Sequence, residues 1–201
     1  EYESRKYKID ALLREAGWQL NDMRDREFEV HGMPSASGIG KVDYVLWGDD
    51  GLPLAVVEAK KAMGSPPEGQ QQAKLYADCL EERFEQRPVI YYSNGYEHWL
   101  WDDTQAPPRS VQGFHTKDEL ALMVQRRGSQ QPLASVDIDQ EIVGRPYQVR
   151  AIRAVTEHFE VDKQRRALVV MATGAGKTRT VVALTDLLMR ANLVKRVLFL
   201  A

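Results

Sequence analysis

Val42-Asp43-Tyr44-Val45-Leu46-Trp47 and Leu54-Ala55-Val56-Val57-Glu58-Ala59-Lys60 form two apolar runs, joined by Gly48-Asp49-Asp50-Gly51-Leu52-Pro53. β-Branched and aromatic residues fill the runs, and turn formers fill the connector, so the stretch predicts strand, turn, strand. Three charges interrupt it: Asp43 early in the first run, Glu58 and Lys60 at the end of the second. A period of two puts Glu58 and Lys60 on one side, and charges so close to a hydrophobic sheet need a partner or a task. A structural ion pair is one reading. The other is phosphodiester hydrolysis: Asp43 and Glu58 gather Mg²⁺, a cation that takes oxygen ligands, with the Ala59 carbonyl as a further ligand. The metal stabilises charge on the phosphoryl group and acidifies a bound water, while Lys60 orients that water or stabilises the phosphate.

Working outward, residues 68–84 follow Pro66-Pro67 and read as a helix with Ala73, Tyr76, Leu80 and Phe84 on one stripe. Gln72 and Tyr76, at i and i+4, share a face of it. They are either a core tyrosine with an edge amide or a pair flanking the carboxylates near Lys60. Upstream, Ile9, Leu12, Leu13 and Ala16 mark a helix that stops at Gly17, with Glu15 as a candidate further carboxylate or a solvated residue. Downstream, 89–92, Ser93-Asn94-Gly95 and 97–101 read as a hairpin. Its Tyr91, Tyr92, Trp99 and Trp101 alternate as sheet-packing residues do, which favours packing over stacking on bases. His31, His98, His115 and His158 show no metal-ligand spacing. Thr116-Lys117-Asp118-Glu119 reads as a capping box for a short helix ending near Gly128.

A second chemistry lies at 171–178, Met-Ala-Thr-Gly-Ala-Gly-Lys-Thr. The run at 167–170 predicts a buried parallel strand, and Val181, Leu184, Leu187 and Leu188 predict the following helix. Strand, glycine-rich loop and helix are the setting in which Thr173, Gly174, Ala175 and Gly176 cradle phosphates of ATP. Lys177 would reach the β- and γ-phosphates and Thr178 would bind Mg²⁺. Met171 stands where the strict pattern has Gly. Upstream, Arg145-Pro146-Tyr147-Gln148 opens a helix with Pro at its first turn. The Gln148 amide can pair with the donor and acceptor of an adenine edge, with Tyr147 or Arg145 against the base.

The chain has 201 residues, 43% hydrophobic and 28% charged, with one cysteine, Cys79, and a net charge of −2. That excludes an internal disulfide and suits a globular, cytoplasmic protein. No apolar stretch approaches the ~18 residues that cross a bilayer, so no membrane partner is expected. Residues 1–135 carry 16 Lys/Arg against 22 Asp/Glu, and 136–201 carry 11 against 7. Ser, Gln, Pro and Asp replace periodic apolar residues across 128–144, so the expected domains are 1–135 and 136–201. The start without Met and the apolar run Val197-Leu198-Phe199-Leu200-Ala201 at the end are those expected of the N-terminal piece of a larger protein, without ATP turnover of its own.

Asp43, Glu58-Ala59-Lys60 and Gln72-x-x-x-Tyr76 together resemble the PD-(D/E)xK nuclease superfamily in its RecB-like form, with Val42 in place of the Pro. Gln148 ahead of the phosphate loop resembles the adenine-reading motif of superfamily 2 helicases. The two in this order resemble the motor (R) subunit of type I restriction enzymes. The resemblance implies an α/β fold, a restriction-endonuclease-like mixed sheet flanked by helices, followed by the first part of a P-loop RecA-like motor domain. It implies metal ligands at Asp43 and Glu58, a catalytic Lys60, and support from Gln72 and Tyr76. It further implies ATP-driven translocation on double-stranded DNA with cleavage, alongside separate specificity and methyltransferase subunits. Two alternatives are a repair helicase–nuclease acting on DNA ends, and a nuclease-like module that only binds DNA or a subunit.

Overall fold

Six strands form one sheet in the order of the chain: β1 (Arg26–His31), β2 (Ile39–Trp47), β3 (Pro53–Ala59), β4 (Val89–Ser93), β5 (His98–Trp101) and β6 (Arg109–Val111). The computed structural model describes residues 5–60 and 69–200; segment 61–68, with Pro66-Pro67 and the expected helix start, lies outside the described residues. Neighbouring strands are antiparallel except β3 and β4, which run parallel. A parallel pair requires a crossover between its strands. Helix α2 (Gln70–Phe84) lies in that crossover, after α1 (Asp10–Glu15) earlier in the chain.

Every residue of β3 is buried, because both faces of the sheet are covered. On one face Tyr44, Leu46, Ala55, Val57 and Tyr91 meet Ile9, at the end of the π-helical turn before α1, Leu13 of α1 and Leu120 of α3 (Lys117–Ser129). On the other, Val45, Val56, Ile90 and Tyr92 meet Ala73, Tyr76, Ala77 and Leu80 of α2. Strands covered on both sides read as continuous apolar runs; hence the density of Val, Leu and Ala in 42–59. The mixed sheet flanked by helices is the fold expected from the sequence.

Local signals act where they stand. Gly17 takes φ +89 and closes α1, with its N–H donating to Arg14 O and that of Trp18 to Leu13 O. The β2–β3 turn closes through Gly48 N–H to Leu52 O at 2.8 Å, with Gly51 at φ +79. Thr116 and Glu119 exchange the capping-box bonds that open α3. The β4–β5 turn is wider than a two-residue Asn-Gly turn, since the Asn94 side chain accepts from the N–H groups of both Tyr96 and Glu97.

The chain divides into two compact units, Glu1–Thr104 with Pro108–Gln125, and Gln105–Pro107 with Arg126–Ala201. In the second, α4 (Pro146–Glu160) and α5 (Lys177–Arg190) contribute Ile152, Ala183 and Leu187 to a core with Leu133, Val136, Ile138 and Val143. The strand expected at 167–170 is absent: Leu168 is 90% and Val170 86% exposed, and 197–200 is likewise exposed and outside any strand. A parallel strand exists only through its ladder and the helices on its faces. Among the described residues, neither stretch has a strand beside it.

Candidate functional site

The ladder between β2 and β3 runs through Leu46↔Ala55, Val45↔Val56 and Tyr44↔Val57. Beyond it, the Asp43 carboxylate accepts the Ala59 N–H at 2.7 Å. On its other side Ala59 pairs with Ser93 of β4, and the Lys60 N–H donates to Ser93 O at 2.8 Å. A side chain thus bridges β2 and β3 while β3 continues along β4. Asp43 and Glu58 are both buried there, Glu58 to 2% exposure.

Lys60 lies just past the end of β3. Its Nζ donates to Glu58 Oε1 at 2.9 Å and to Gln72 Oε1 at 2.7 Å, and Gln72 Nε2 donates to Tyr76 OH at 2.6 Å. The structure therefore joins Glu58, Lys60, Gln72 and Tyr76 in one hydrogen-bonded chain, with α2 presenting the last two one turn apart. Gly69, immediately before α2, packs against this chain. A methyl group there would lie 3.3 Å from Lys60 Cγ and Cε and 3.4 Å from Glu58 Cγ.

Burial pushes the Tyr76 hydroxyl above its ordinary pKa; the Gln72 hydrogen bond opposes this, the Glu58 and Asp43 charges reinforce it, and Lys60 opposes it. Tyr76 is therefore a neutral hydroxyl at pH 7, a rigid end to the chain that holds Lys60. Two buried carboxylates and an ammonium in one place can bind a hard cation and an anionic ester together. Among the described residues no group of three or more His, Cys, Asp and Glu side chains could hold a metal. Two side-chain carboxylates are a hard oxygen donor set of the kind that Mg²⁺, which keeps several of its waters, accepts.

Glu15 is exposed on α1. The buried acid of that helix is Asp10, which the sequence reading missed: Tyr44 OH donates to its Oδ1 at 2.5 Å and Arg26 to its Oδ2 at 3.0 Å. An acid next to the apolar Ile9 was the only local sign of it. The aromatics pack within the sheet layers: Tyr91 and Tyr92 are buried, and Trp99 stacks on Tyr92 at 6.0 Å. The histidines also serve structure, His98 with Ser93 Oγ, His115 with Tyr91 OH and His158 with Asp162.

In the second unit, Gly174 and Gly176 take φ +80 and +83, the conformation only glycine adopts at no cost. Lys177 and Thr178 open α5, and Thr173, Lys177 and Thr178 are exposed. Lys177 Nζ lies 3.4 Å from Ala172 O. The Ala175 carbonyl accepts from Tyr147 OH at 3.0 Å and from Gln148 Nε2 at 3.1 Å. Arg145 donates to Tyr147 OH at 2.8 Å. Gln148, read from sequence as an adenine contact, is thus bonded to the loop's own main chain, and Gly176 lies so close that a methyl there would sit 2.5 Å from its Nε2.

The family model described as Type I restriction enzyme R protein N terminus matches residues 26–109, and that of the Type III restriction enzyme res subunit matches 141–201. The Type I restriction enzyme EcoKI endonuclease subunit of Escherichia coli (strain K12) is 30% identical, over 100% of this chain and 22% of its own length. The EcoAI endonuclease subunit of Escherichia coli is 31% identical, over 96% of this chain and 26% of its own. A solved fragment described as an HsdR subunit of a type I restriction enzyme from Vibrio vulnificus YJ016 superposes with a TM-score of 0.51 at 27% identity. It covers 94% of this chain and 38% of that one. The chain thus spans about a quarter of the length of the curated relatives it matches.

Proposed function

We propose that this chain, which belongs to the type I restriction enzyme R-subunit family, carries the Mg²⁺-dependent nuclease centre and the ATP-binding loop of a DNA restriction subunit. The observation that carries the reading is the joining of Asp43, Glu58 and Lys60 at the end of β3, with Lys60 held by Gln72. The substrate is double-stranded DNA, and the partners are the specificity and methyltransferase subunits of a restriction complex. Among the described residues no helix is long and apolar enough to cross a membrane.

Asp43 and Glu58 would hold the metal, which supplies charge stabilisation at the phosphoryl group and a more acidic water. Lys60, fixed between Glu58 and Gln72, presents its ammonium to the water or to a phosphate oxygen. Water oxygen bonds to phosphorus and the phosphorus–O3′ bond breaks; the attacking water gives up its protons to solvent, and solvent returns one to the departing O3′, leaving a 5′-phosphate and a 3′-hydroxyl. In the second unit, Thr173 to Gly176 wrap ATP phosphates, Lys177 neutralises them and Thr178 binds their Mg²⁺. Gln148 would contact the adenine, from a position where its amide also donates to Ala175 O of the loop.

The full-length protein, assembled with its specificity and methyltransferase subunits, tests this on unmethylated plasmid with Mg²⁺ and ATP. Lys60→Ala should lose ~10²–10³-fold of the cleavage rate, the usual worth of one donor aimed at developing charge, with ATP hydrolysis intact. Equal cleavage by the variant would remove Lys60 from the chemistry.

A further inference from the structure

The hairpin joining β1 to β2 is tied to the candidate site. A methyl built on Gly40 would lie 2.7 Å from Tyr76 Cε1 and 2.9 Å from Met33 Cγ, so the Tyr76 ring and the Met33 side chain both close on the Gly40 backbone. Tyr76 in turn is bonded to Gln72, and Gln72 to Lys60. The base of the hairpin, at Met33 and Gly40, therefore packs on the tyrosine that ends the hydrogen-bonded chain fixing the lysine.

The hairpin's chemistry differs from its surroundings. Residues 1–135 have six more acids than bases, yet the chain from Val30 to Val42 holds no Asp or Glu and includes Lys41. The tip is closed from within by Gly32 N–H and Met33 N–H to Gly38 O and by Gly38 N–H to Ser35 O. Ser35 and Ser37 hydroxyls lie 3.2 Å apart, and Pro34, Ser35, Ala36, Ser37 and Lys41 are all exposed. Hydroxyls, solvent-facing main chain and a lysine are the groups that take phosphate and sugar contacts along a duplex. The acid across the ladder from Lys41, Glu29, lies 3.5 Å from His31.

We propose that this hairpin is a DNA-backbone contact that seats the duplex at the nuclease end of the sheet: Ser35 and Ser37 at the tip and Lys41, on the face of β2 opposite Tyr76, contact phosphates, and the Met33–Gly40–Tyr76 packing fixes the base of the hairpin against the chain that holds Lys60. The proposal rests on the reading of this site as a DNA nuclease. Sequence readout is not part of it, since small hydroxyl residues and one lysine position a backbone without distinguishing bases.

The test uses the full-length protein in its restriction complex, with a photo-crosslinking benzoyl-phenylalanine placed at Ser35 or, as control, at Asp50 in the exposed β2–β3 turn. Irradiation with Mg²⁺, ATP and labelled plasmid fragment should attach DNA at position 35 and not at 50. Alongside, Lys41→Ala should reduce the slope of log affinity against log salt by about 0.9, the value for one phosphate contact. Ser35→Glu/Ser37→Glu should raise the DNA concentration for half-maximal cleavage ~10-fold, the equivalent of ~1.4 kcal/mol of binding. Equal crosslinking at both positions, or crosslinking of position 35 to protein alone, overturns the proposal. An Asp43→Asn control, which keeps the acceptor for the Ala59 N–H, separates the failures. If cleavage persists in that variant, the nuclease reading is wrong; if it is lost while position 35 finds no DNA, only the hairpin assignment falls.

Discussion

The Asp43 carboxylate accepts the main-chain N–H of Ala59 at 2.7 Å, at the point where β2 and β3 cease to share ladder bonds. The same carboxylate thus closes the sheet and, in the proposed centre, would hold the metal. Asp43→Ala should cost about 1–3 kcal/mol, because it leaves a buried N–H unsatisfied. Asp43→Asn keeps an acceptor and should unfold close to the parent. Urea midpoints of the two variants check this; equal losses would mean that charge, not the hydrogen bond, supports the fold.

Gln72 links Lys60 to Tyr76 with bonds of 2.7 and 2.6 Å. Gln72→Leu removes both, so the ammonium loses one of its acceptors while the helix keeps its apolar face. Cleavage should fall ~10–100-fold, the usual loss when an outer partner of a reactive group is removed. ATP hydrolysis by the assembled enzyme should be unaffected. Tyr76→Phe should act in the same direction and less severely. A cleavage rate unchanged in Gln72→Leu would show that Glu58 alone orients the lysine.

Gly176 combines φ +83 with the contact on Gln148. Gly176→Ala adds both backbone strain of about 1–3 kcal/mol and a clash with the amide that holds Ala175 O. Fluorescent nucleotide binding to the full-length protein should weaken ~10-fold or more, by the scale on which ~1.4 kcal/mol is a decade. Lys177→Ala should also lose binding, but by removing charge from a loop of unchanged shape. Parent-like nucleotide affinity in Gly176→Ala would deny the loop its assigned geometry.

Burial lowers the pKa of His98 below its ordinary 6.5, and that of His115 likewise, with Glu119 opposing the shift at His115. The folded protein binds these protons less readily than the unfolded chain does. Their contribution to stability is therefore present above pH 6.5 and lost as pH falls through the lowered folded values. Thermal midpoints of the first unit should drop as the buffer is taken from neutral to acid. His98→Gln should flatten part of that slope. A midpoint that rises on acidification contradicts the buried, neutral imidazoles.

Much of this was legible because it is written locally. Apolar β-branched runs and the turn residues between them in 42–60 predicted the two central strands, and spacing of four brought Gln72 and Tyr76 to one helical face. The two acids and the lysine stood out because charge is conspicuous inside an apolar run. Asp10 was illegible for the opposite reason: its bond to Tyr44 spans 34 residues, and an acid beside a helix stripe usually faces water. Gly40 gave no signal either, because its role is set by a tyrosine that arrives from another element. Residues 167–170 were misread as a strand, since burial there depends on neighbouring strands and not on the run itself.

The central claim is that Asp43, Glu58 and Lys60 form one hydrolytic centre. Its most direct test is the rate of double-strand cleavage of closed circular, unmethylated plasmid by the complete restriction complex carrying Glu58→Gln. Rates are taken in Mg²⁺ with ATP, and again after chelation of the metal. The account predicts loss of cleavage in the variant and in the chelated parent, with DNA-stimulated ATP hydrolysis retained by the variant in Mg²⁺. Cleavage by Glu58→Gln at the parent rate would contradict it.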